Sequence, residues 1–257
     1  MDSPAKSAAL RFQEEVEALS ASISNMGGLT ESQLADALEA INKRDNTLAE
    51  RAIATDRRVD ELEAEIDAKA VKILSRREHF AGDLRACVGA IKIATDLERI
   101  GDLAKNVAKR TIDINSKEPV RSSYALVGMG RQALLQLTEV LNAFAQKDME
   151  LALSVWRRDH RIDHIYNSLF RELLTYMMED PRTIGPCTHL LFIAQNIERI
   201  GDHATNIAEI VHYMIAGEYI KEDRPKLEQV AQVDFASEPD AAGGATDLLK
   251  TQDTDDR

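Results

Sequence analysis

Aromatic residues, helix-breaking residues and cysteines are all scarce in this 257-residue sequence. Aromatic residues make up 5% of it, and it has 12 glycines and 6 prolines, while apolar residues reach 44%. That composition is typical of helices that pack through Leu, Ile, Val and Ala. The two cysteines, Cys87 and Cys187, lie 100 residues apart, and we expect buried thiols instead of a disulfide, in a reducing cytoplasm.

Long apolar runs, targeting signals and an excess of basic residues are also missing. No run approaches the roughly 18 apolar residues that span a bilayer, and no basic and apolar N-terminal stretch indicates a secretory signal. The net charge of −12 argues against nucleic acid as a partner, since duplex binding requires a basic surface. It favours divalent cations or basic protein surfaces. We expect a cytoplasmic protein that contacts membranes only through its partners.

Motifs of the common catalytic classes are absent from the sequence, which has no P-loop, Rossmann glycine motif or Gly-x-Ser-x-Gly element. A di-iron bundle requires two Glu-x-x-His elements, and only one, Glu209 with His212, supports it. The pair His160 and His164 resembles a zinc-protease signature with Asp in place of Glu, but the first half of the chain has no counterpart. We therefore predict that the protein is not an enzyme.

One 15-residue segment occurs twice, 100 residues apart. Residues 94–108 are ATDLERIGDLAKNVA and residues 194–208 are AQNIERIGDHATNIA, with nine identical positions. Apolar residues recur every three or four positions in both copies, which predicts one amphipathic helix in each. A repeat at this distance indicates two copies of a domain-sized unit.

Apolar periodicity elsewhere predicts two more long helices before each copy. In the first unit we predict helices at 5–25 and 29–44, interrupted at Met26-Gly27-Gly28, then at 47–77, capped by Asn46 or Thr47, and from Gly82 to Ile114, closed by Pro119. In the second unit we predict helices from Ser122, from Met149 to Met178, and over 183–216, with breaks at Lys147-Asp148, Glu179-Asp180-Pro181 and Gly217.

The predicted fold class is all-α. Two tandem three-helix bundles, 5–118 and 121–217, precede an acidic C-terminal tail, 218–257. Residues 217–257 hold eleven acidic against five basic residues and lose the apolar period, so we predict disorder over 225–257. The tail fits either a solubilising role or a regulatory interaction.

Paired carboxylates, four residues apart, occur on two predicted helices of each unit. The eight candidate metal ligands are Asp56, Asp60, Glu98 and Asp102 in the first unit, and Asp159, Asp163, Glu198 and Asp202 in the second. Carboxylates at this spacing project from neighbouring turns and repel by roughly a few tenths of a kcal/mol, which a cation would relieve. Oxygen ligands suit Mg²⁺, Mn²⁺, Ca²⁺ or Fe ions. A solvated charged face is the alternative, most of all at Asp159 and Asp163, which flank their apolar stripe.

The doubled ERIGD-x-A-x-N-I/V-A element, the segment MGGLTESQLADAL and the two Asp-x-x-x-Asp helices resemble the PhoU family of phosphate-specific transport system accessory proteins. The resemblance covers about residues 6–216. It implies tandem three-helix bundles, usually dimeric and cytoplasmic. It also implies a negative regulator of phosphate uptake and of the phosphate-starvation response. Such a regulator connects the phosphate ABC transporter, through its ATPase subunit, to a sensor histidine kinase.

The resemblance also implies a multinuclear metal cluster on the eight carboxylates, with Fe, Mn, Mg or Zn all open as the metal. Asn106 and Asn206 are implied as accessory contacts. Asn196 stands where the first copy has Asp96, and His160, His164 and His203 occur only in the second unit, so we expect the two sites to differ. A carboxylate-bridged metalloenzyme and a metal-free helical scaffold remain alternatives.

Overall fold

The computed structural model describes residues 4–75, 81–117, 123–222 and 224, and over these ranges the regular structure is entirely helical. The helices are α1 (Pro4–Lys43), α2 (Asn46–Leu74), α3 (Ala81–Asn115), α4 (Ser123–Gln146), α5 (Met149–Arg157), α6 (His160–Glu179) and α7 (Ile184–Ala216), with a 3-10 turn at Pro181–Thr183. None of the helices in these ranges is both long enough and apolar enough to cross a membrane.

The helices form two bundles of the same design. Helices α1, α2 and α3 pack against one another, while α4 packs against α7 and against α5 and α6, which together take the place of α2. The cores consist of aliphatic residues such as Leu34, Ile66 and Leu97 in the first bundle and Leu137 and Leu169 in the second. The predicted fold class of two tandem three-helix bundles is confirmed.

The two bundles contact each other through α3 with α7 and α1 with α4. Gly27 on α1 faces Leu141 on α4, and a Cβ added at Gly27 would lie 2.5 Å from the Leu141 Cδ2. Gly130 on α4 faces Leu38 on α1 in the same way. Gly130 lies 103 positions after Gly27, and Leu141 lies 103 positions after Leu38. The contact is therefore reciprocal, and each glycine lets a leucine of the other bundle approach the helix backbone.

This contact corrects the predicted break at Met26-Gly27-Gly28. Helix α1 continues through those residues without interruption. Glycine at position 27 permits a close helix approach, which a local sequence pattern cannot distinguish from a kink.

The turn between the first two helices of each unit is the same in both bundles, and the predicted break at Lys147-Asp148 is confirmed. Arg44 and Lys147 both have φ of 54°, and each precedes an aspartate that caps the next helix. The Asp45 carboxylate accepts hydrogen bonds from the Thr47 and Leu48 amides at 2.8 and 3.4 Å. The predicted cap at Asn46 or Thr47 is therefore wrong, because the extended backbone of Asp45 places its carboxylate over the first free amides.

The middle helix of the second unit is interrupted, which contradicts the single helix predicted from Met149 to Met178. The amides of Arg158 and Asp159 bond to carbonyls three residues back, at 3.1 and 3.4 Å, and this tighter turn separates α5 from α6. Asp159 lies at the junction with its side chain inside the bundle. Hydrogen bonds from Thr205 and Arg224 to that side chain favour the tighter turn over a continuous helix.

The predicted ends of the last helix are confirmed. A 3-10 turn begins at Pro181, and Gly217, with φ of 81°, ends α7 in the left-handed conformation typical of a helix C-terminus. Cys87 and Cys187 are buried and form no disulfide, as expected, and burial raises the pKa of the Cys187 thiol. The predicted closure at Pro119, the start near Ser122 and the tail over 225–257 lie outside the described residues.

Candidate functional site

The first acidic cluster consists of Asp56 on α2 and Asp102 on α3, with Lys105 between them. The Lys105 Nζ lies 2.5 Å from the Asp56 Oδ2 and 2.5 Å from the Asp102 Oδ1. Asp56 is 6% exposed, and the Lys105 side chain is 23% exposed. A basic side chain of the same motif helix thus supplies the positive charge between the two carboxylates.

Charge in the first cluster is only partly balanced by Lys105. Burial opposes its charged form, but hydrogen bonds to Asp102 and Asp56 outweigh burial and raise the Lys105 pKa. Burial and the charge of Asp56 raise the pKa of Asp60. Burial and the charge of Asp102 raise the pKa of Glu98. The four predicted ligands of this unit therefore influence one another electrostatically, with an excess of negative charge.

A buried glutamine joins the first cluster to the backbone of two helices. The Gln33 Nε2 lies 3.0 Å from the Ala52 carbonyl oxygen, 3.1 Å from the Gly101 carbonyl oxygen and 3.5 Å from the Asp56 Oδ1. A Cβ at Gly101 would lie 3.1 Å from the Gln33 Oε1 and 3.3 Å from the Val59 Cγ1. Close packing around Gln33 thus explains a glycine inside the motif helix.

The second acidic cluster has carboxylates at the two equivalent positions, Asp159 and Asp202, but a different cation. Asp159, at the α5–α6 junction, is 3% exposed, and Asp202 lies on α7. The Arg224 Nε donates to the Asp159 Oδ2 at 2.7 Å, and one Arg224 terminal nitrogen donates to the Asp159 Oδ1 at 2.9 Å and the Asp202 Oδ1 at 2.8 Å. The paired contact with Asp159 is the fork geometry that makes an Arg–carboxylate pair strong.

Neutral side chains complete the second cluster. Thr205, which stands 100 residues after Lys105, donates from Oγ1 to the Asp159 Oδ1 at 2.8 Å. The Gln136 Nε2, 103 residues after Gln33, donates to the Thr205 Oγ1 at 2.7 Å. The other Arg224 terminal nitrogen donates to the Asn206 Oδ1 at 3.3 Å. Because position 205 is threonine, this helix offers no positive charge where the first unit has Lys105.

The remaining predicted ligands, Asp163 and Glu198, are partly exposed on α6 and α7. Burial and the charge of Glu198 raise the pKa of the Tyr166 phenol, which places Glu198 near α6. The implied accessory residue Asn206 contacts the second cluster, whereas Asn106 is exposed.

Asp96, which corresponds to Asn196 in the second copy, lies at the interface between the two bundles. The Asp96 Oδ1 lies 2.8 Å from the His203 Nδ1 and accepts a hydrogen bond from the Asn206 Nδ2 at 3.4 Å. His203 therefore contacts a carboxylate of the first unit, and Asn206 connects that carboxylate to Arg224. His160 and His164 contact each other edge to face, with ring centroids 5.9 Å apart.

The donor chemistry of both clusters fits a hard divalent ion, but their present arrangement holds a basic side chain. Among the described residues, no three His, Cys, Asp or Glu side chains are grouped so that they could hold one metal ion. An ion would have to displace Lys105 in the first cluster or Arg224 in the second. Metal binding at the eight carboxylates stays a prediction.

The acidic pattern of the sequence does not indicate several residues that the structure places in the clusters: Gln33, Lys105, Gln136, Thr205 and Arg224. The two glutamines had a signal, because they share the 103-residue offset that relates Asp56 to Asp159. Lys105 lies three residues after Asp102, within reach on one helix face. Arg224 follows the last periodic residue and carries no local signal.

Known proteins share this architecture and sequence. The family model of the PhoU domain matches residues 23–111 and 126–211. A PhoU homolog of the phosphate-specific transport system in Caulobacter vibrioides is 47% identical over 86% of this chain and 96% of its own length. The corresponding homolog of Rhizobium meliloti is 51% identical over 84% of this chain and 91% of its own. The crystal structure of PhoU from Pseudomonas aeruginosa superposes with a TM-score of 0.79 at 41% identity, over 80% of this chain and 100% of that one. This chain belongs to the PhoU family.

Proposed function

We propose that this protein is a negative regulator of phosphate uptake and of the phosphate-starvation response. It acts in the cytoplasm as an adaptor between a phosphate ABC transporter and a sensor histidine kinase. The observation that carries the proposal is the doubled PhoU domain, with relatives named as accessory proteins of the phosphate-specific transport system matched over nearly their whole length. The absence of the common catalytic motifs from the sequence supports an adaptor over an enzyme.

Recognition of partners would depend on charge. The net charge of −12 suits a basic surface on the ATPase subunit of the transporter or on the kinase. Complementary charge mainly raises the association rate and the specificity of such a contact. Binding should therefore weaken as salt concentration rises, because exposed charges are screened beyond about 10 Å at 0.1 M ionic strength. We further propose that the regulator is a homodimer.

A second part of the proposal is that the carboxylate clusters bind divalent or transition metal ions after Lys105 or Arg224 has been displaced. Elemental analysis of protein purified without chelator tests it, beside the double variants Glu98→Ala/Asp102→Ala and Glu198→Ala/Asp202→Ala. We expect metal in the unaltered protein and less in each variant. Equal, near-zero metal in all three samples would refute this part and leave the regulator proposal standing.

A phosphate-starvation reporter in cells that lack the gene tests the regulatory role. In ample phosphate we expect the reporter to be active in these cells and silent again when the intact gene is returned. A returned gene that carries the exposed Glu61→Gln substitution should also restore silence, because Glu61 lies outside both clusters; this controls for the effect of a surface substitution in itself. A reporter that stays silent in the deletion strain would contradict the proposal.

A further inference from the structure

The chain does not leave the molecule after α7 but turns back along it. We define the C-terminal arm as residues 217–222 and 224. The left-handed Gly217 reverses the chain direction, and the Glu218 carbonyl oxygen lies 3.1 Å from the His212 Nδ1. The Tyr219 ring then stacks on the Tyr213 ring with centroids 4.4 Å apart, and Ile220 packs against the core. Glu218 and Tyr219 thus contact the C-terminal end of α7, whereas Arg224 contacts Asn206 and Asp202 further toward the start of that helix.

The arm also contacts the first bundle. The Lys92 Nζ on α3 donates to the Tyr219 hydroxyl at 3.1 Å. Tyr219 therefore bridges α7 and α3, the two helices that join the bundles.

The length of the arm matches the distance to the second cluster. Asn206 lies eleven positions before Gly217, which corresponds to about 16 Å of helix. Arg224 lies seven positions after Gly217, and a chain of that length spans up to about 23 Å when extended. The guanidinium can therefore reach Asp202 and Asp159 from an arm that lies along the helix.

Arg224 fills the second cluster as a ligand would. Its side chain is 19% exposed and bonds to the carboxylates of Asp159 and Asp202 and to the amide oxygen of Asn206. Burial opposes the charged guanidinium, but the hydrogen bond and charge of Asp159 outweigh it and raise the Arg224 pKa. A buried carboxylate without a compensating cation is costly, so the arm stabilises the cluster in this closed form.

The cations of the two clusters differ in how they are attached. Lys105 is part of the helix that also carries Asp102, so it can leave only by a change of side-chain rotamer. Arg224 is held by a segment outside the helices and can leave with that segment. An external cation at Asp159 and Asp202 would occupy the position of the guanidinium and repel it.

We propose that the C-terminal arm is an internal ligand of the second acidic cluster, and that arm docking and divalent-cation binding at Asp159 and Asp202 exclude each other. A divalent cation therefore releases the arm, and removal of the arm strengthens cation binding by the same coupling. The inference rests on the metal-binding part of the proposed function, and its test in purified protein is independent of the reporter assay.

Manganese binding to the full chain, measured by the electron paramagnetic resonance of free Mn²⁺, tests the exclusion. We expect Arg224→Ala to bind Mn²⁺ at least about tenfold more tightly than the unaltered protein, which is the gain when the arm is docked in about nine molecules of ten. Lys221→Ala is the matched control, since this exposed arm residue pairs only with Glu218 among the contacts described and should leave the affinity unchanged. Adding Asp159→Asn to Arg224→Ala should abolish the gain. Arg224→Gln, which keeps the bulk of the side chain, replaces Arg224→Ala if the latter does not fold.

Cleavage by a lysine-specific protease reports the position of the arm directly. In the unaltered protein we expect Mn²⁺ to accelerate cleavage after Lys221 severalfold, with cleavage after Lys147 in the α4–α5 turn unchanged as the internal control. Unchanged or weaker Mn²⁺ affinity in Arg224→Ala and Arg224→Gln would overturn the proposal. So would the absence of Mn²⁺ binding in every variant, or cleavage after Lys221 that does not respond to saturating Mn²⁺.

Discussion

The two acidic clusters have the same carboxylate framework but are neutralised in different ways. Asp56 and Asp102 share the ammonium of Lys105, whereas Asp159 and Asp202 share the guanidinium of Arg224. The first cation belongs to the motif helix itself, and the second arrives from a segment that comes after the last helix. Both copies of the carboxylate pair are therefore neutralised by a basic side chain, but that side chain comes from a different part of the chain in each copy.

One position accounts for much of this difference. Residue 105 is lysine in the first motif, and the equivalent residue 205 is threonine, whose hydroxyl bonds to Asp159 but carries no charge. The second cluster consequently needs a cation from elsewhere. The first cluster is therefore closed by a side chain of its own helix and opens only by a change of the Lys105 rotamer, while the second can be opened by movement of the arm.

The largest expected effect is the loss of the fixed cation. We expect Lys105→Met to lower the free energy of unfolding by about 2–3 kcal/mol, because the buried Asp56 carboxylate is left without its partner. Chemical denaturation measures this change. Arg99→Ala is the control, since Arg99 is largely exposed beside Glu98 and its removal should cost less than about 0.5 kcal/mol. Equal losses in the two variants would contradict the structural role of Lys105.

Removal of the detachable cation should have a smaller effect. We expect Arg224→Ala to lower the free energy of unfolding by about 1–2 kcal/mol, because the arm can move away and water can then reach Asp159. The same denaturation experiment checks this value. A loss larger than that of Lys105→Met would show that Arg224 is as fixed as Lys105, and the contrast between the clusters would fail.

A third variant compares the first helices of the two units. Gly28 corresponds to Arg131 in the second unit, and a Cβ added at Gly28 would meet no described atom within 4 Å. We expect Gly28→Ala to raise the free energy of unfolding by about 0.5–1 kcal/mol, since alanine favours the helix. Gly27→Ala is the matched control and should not stabilise, because its Cβ would press on Leu141. A stabilisation of equal size at both positions would refute the close contact between α1 and α4.

The smallest expected effect concerns the excess charge of the first cluster. Burial and Asp56 raise the folded-state pKa of Asp60, so the folded protein holds this proton more tightly than the unfolded chain. The resulting stability is fully present below the unfolded pKa of about 4 and is lost as pH rises through the folded pKa. Because Asp60 is exposed and solvent screens its charge, we expect Asp60→Asn to be more stable than the unaltered protein at pH 7 by no more than about 0.5 kcal/mol, with the difference vanishing below about pH 4.

Glu61→Gln is the control for the stabilisation expected of Asp60→Asn. The hydrogen bond from Arg58 lowers the pKa of the exposed Glu61 carboxyl, so Glu61→Gln should lower stability at pH 7 instead of raising it. Thermal unfolding of both variants across pH 3–7 compares them. Destabilisation by Asp60→Asn at neutral pH would contradict the excess of negative charge.

Much of the fold could be predicted because its determinants are local. The repeated motif and the apolar period located the helices, and the turn residues Asp45 and Asp148 mark their starts. Apart from the cap of α2, which is Asp45 and not Asn46 or Thr47, the errors arose where a distant contact decides the local structure. Gly27 allows a neighbouring helix to approach, and the contacts of Asp159 favour the tighter turn between α5 and α6.

The candidate site could be predicted only in part for the same reason. The carboxylates are visible as pairs on one helix face, but their charge partners depend on tertiary structure. Lys105 meets Asp56 across two helices, and Arg224 meets Asp159 from a segment with no periodic pattern. Composition predicted a solubilising or regulatory tail there, and the structure shows the start of that segment packed on α7 and α3.

The central claim, that Arg224 of the arm is the cation of the second cluster, is tested most directly by a double-mutant cycle between Arg224 and Asp159. Free energies of unfolding of Arg224→Ala, Asp159→Asn and the double variant give their coupling energy, with Lys221 in place of Arg224 as the control cycle. We predict a coupling of at least about 1 kcal/mol for Arg224 and none for Lys221. A coupling below about 0.3 kcal/mol for Arg224 would show that the arm does not hold this cluster in solution.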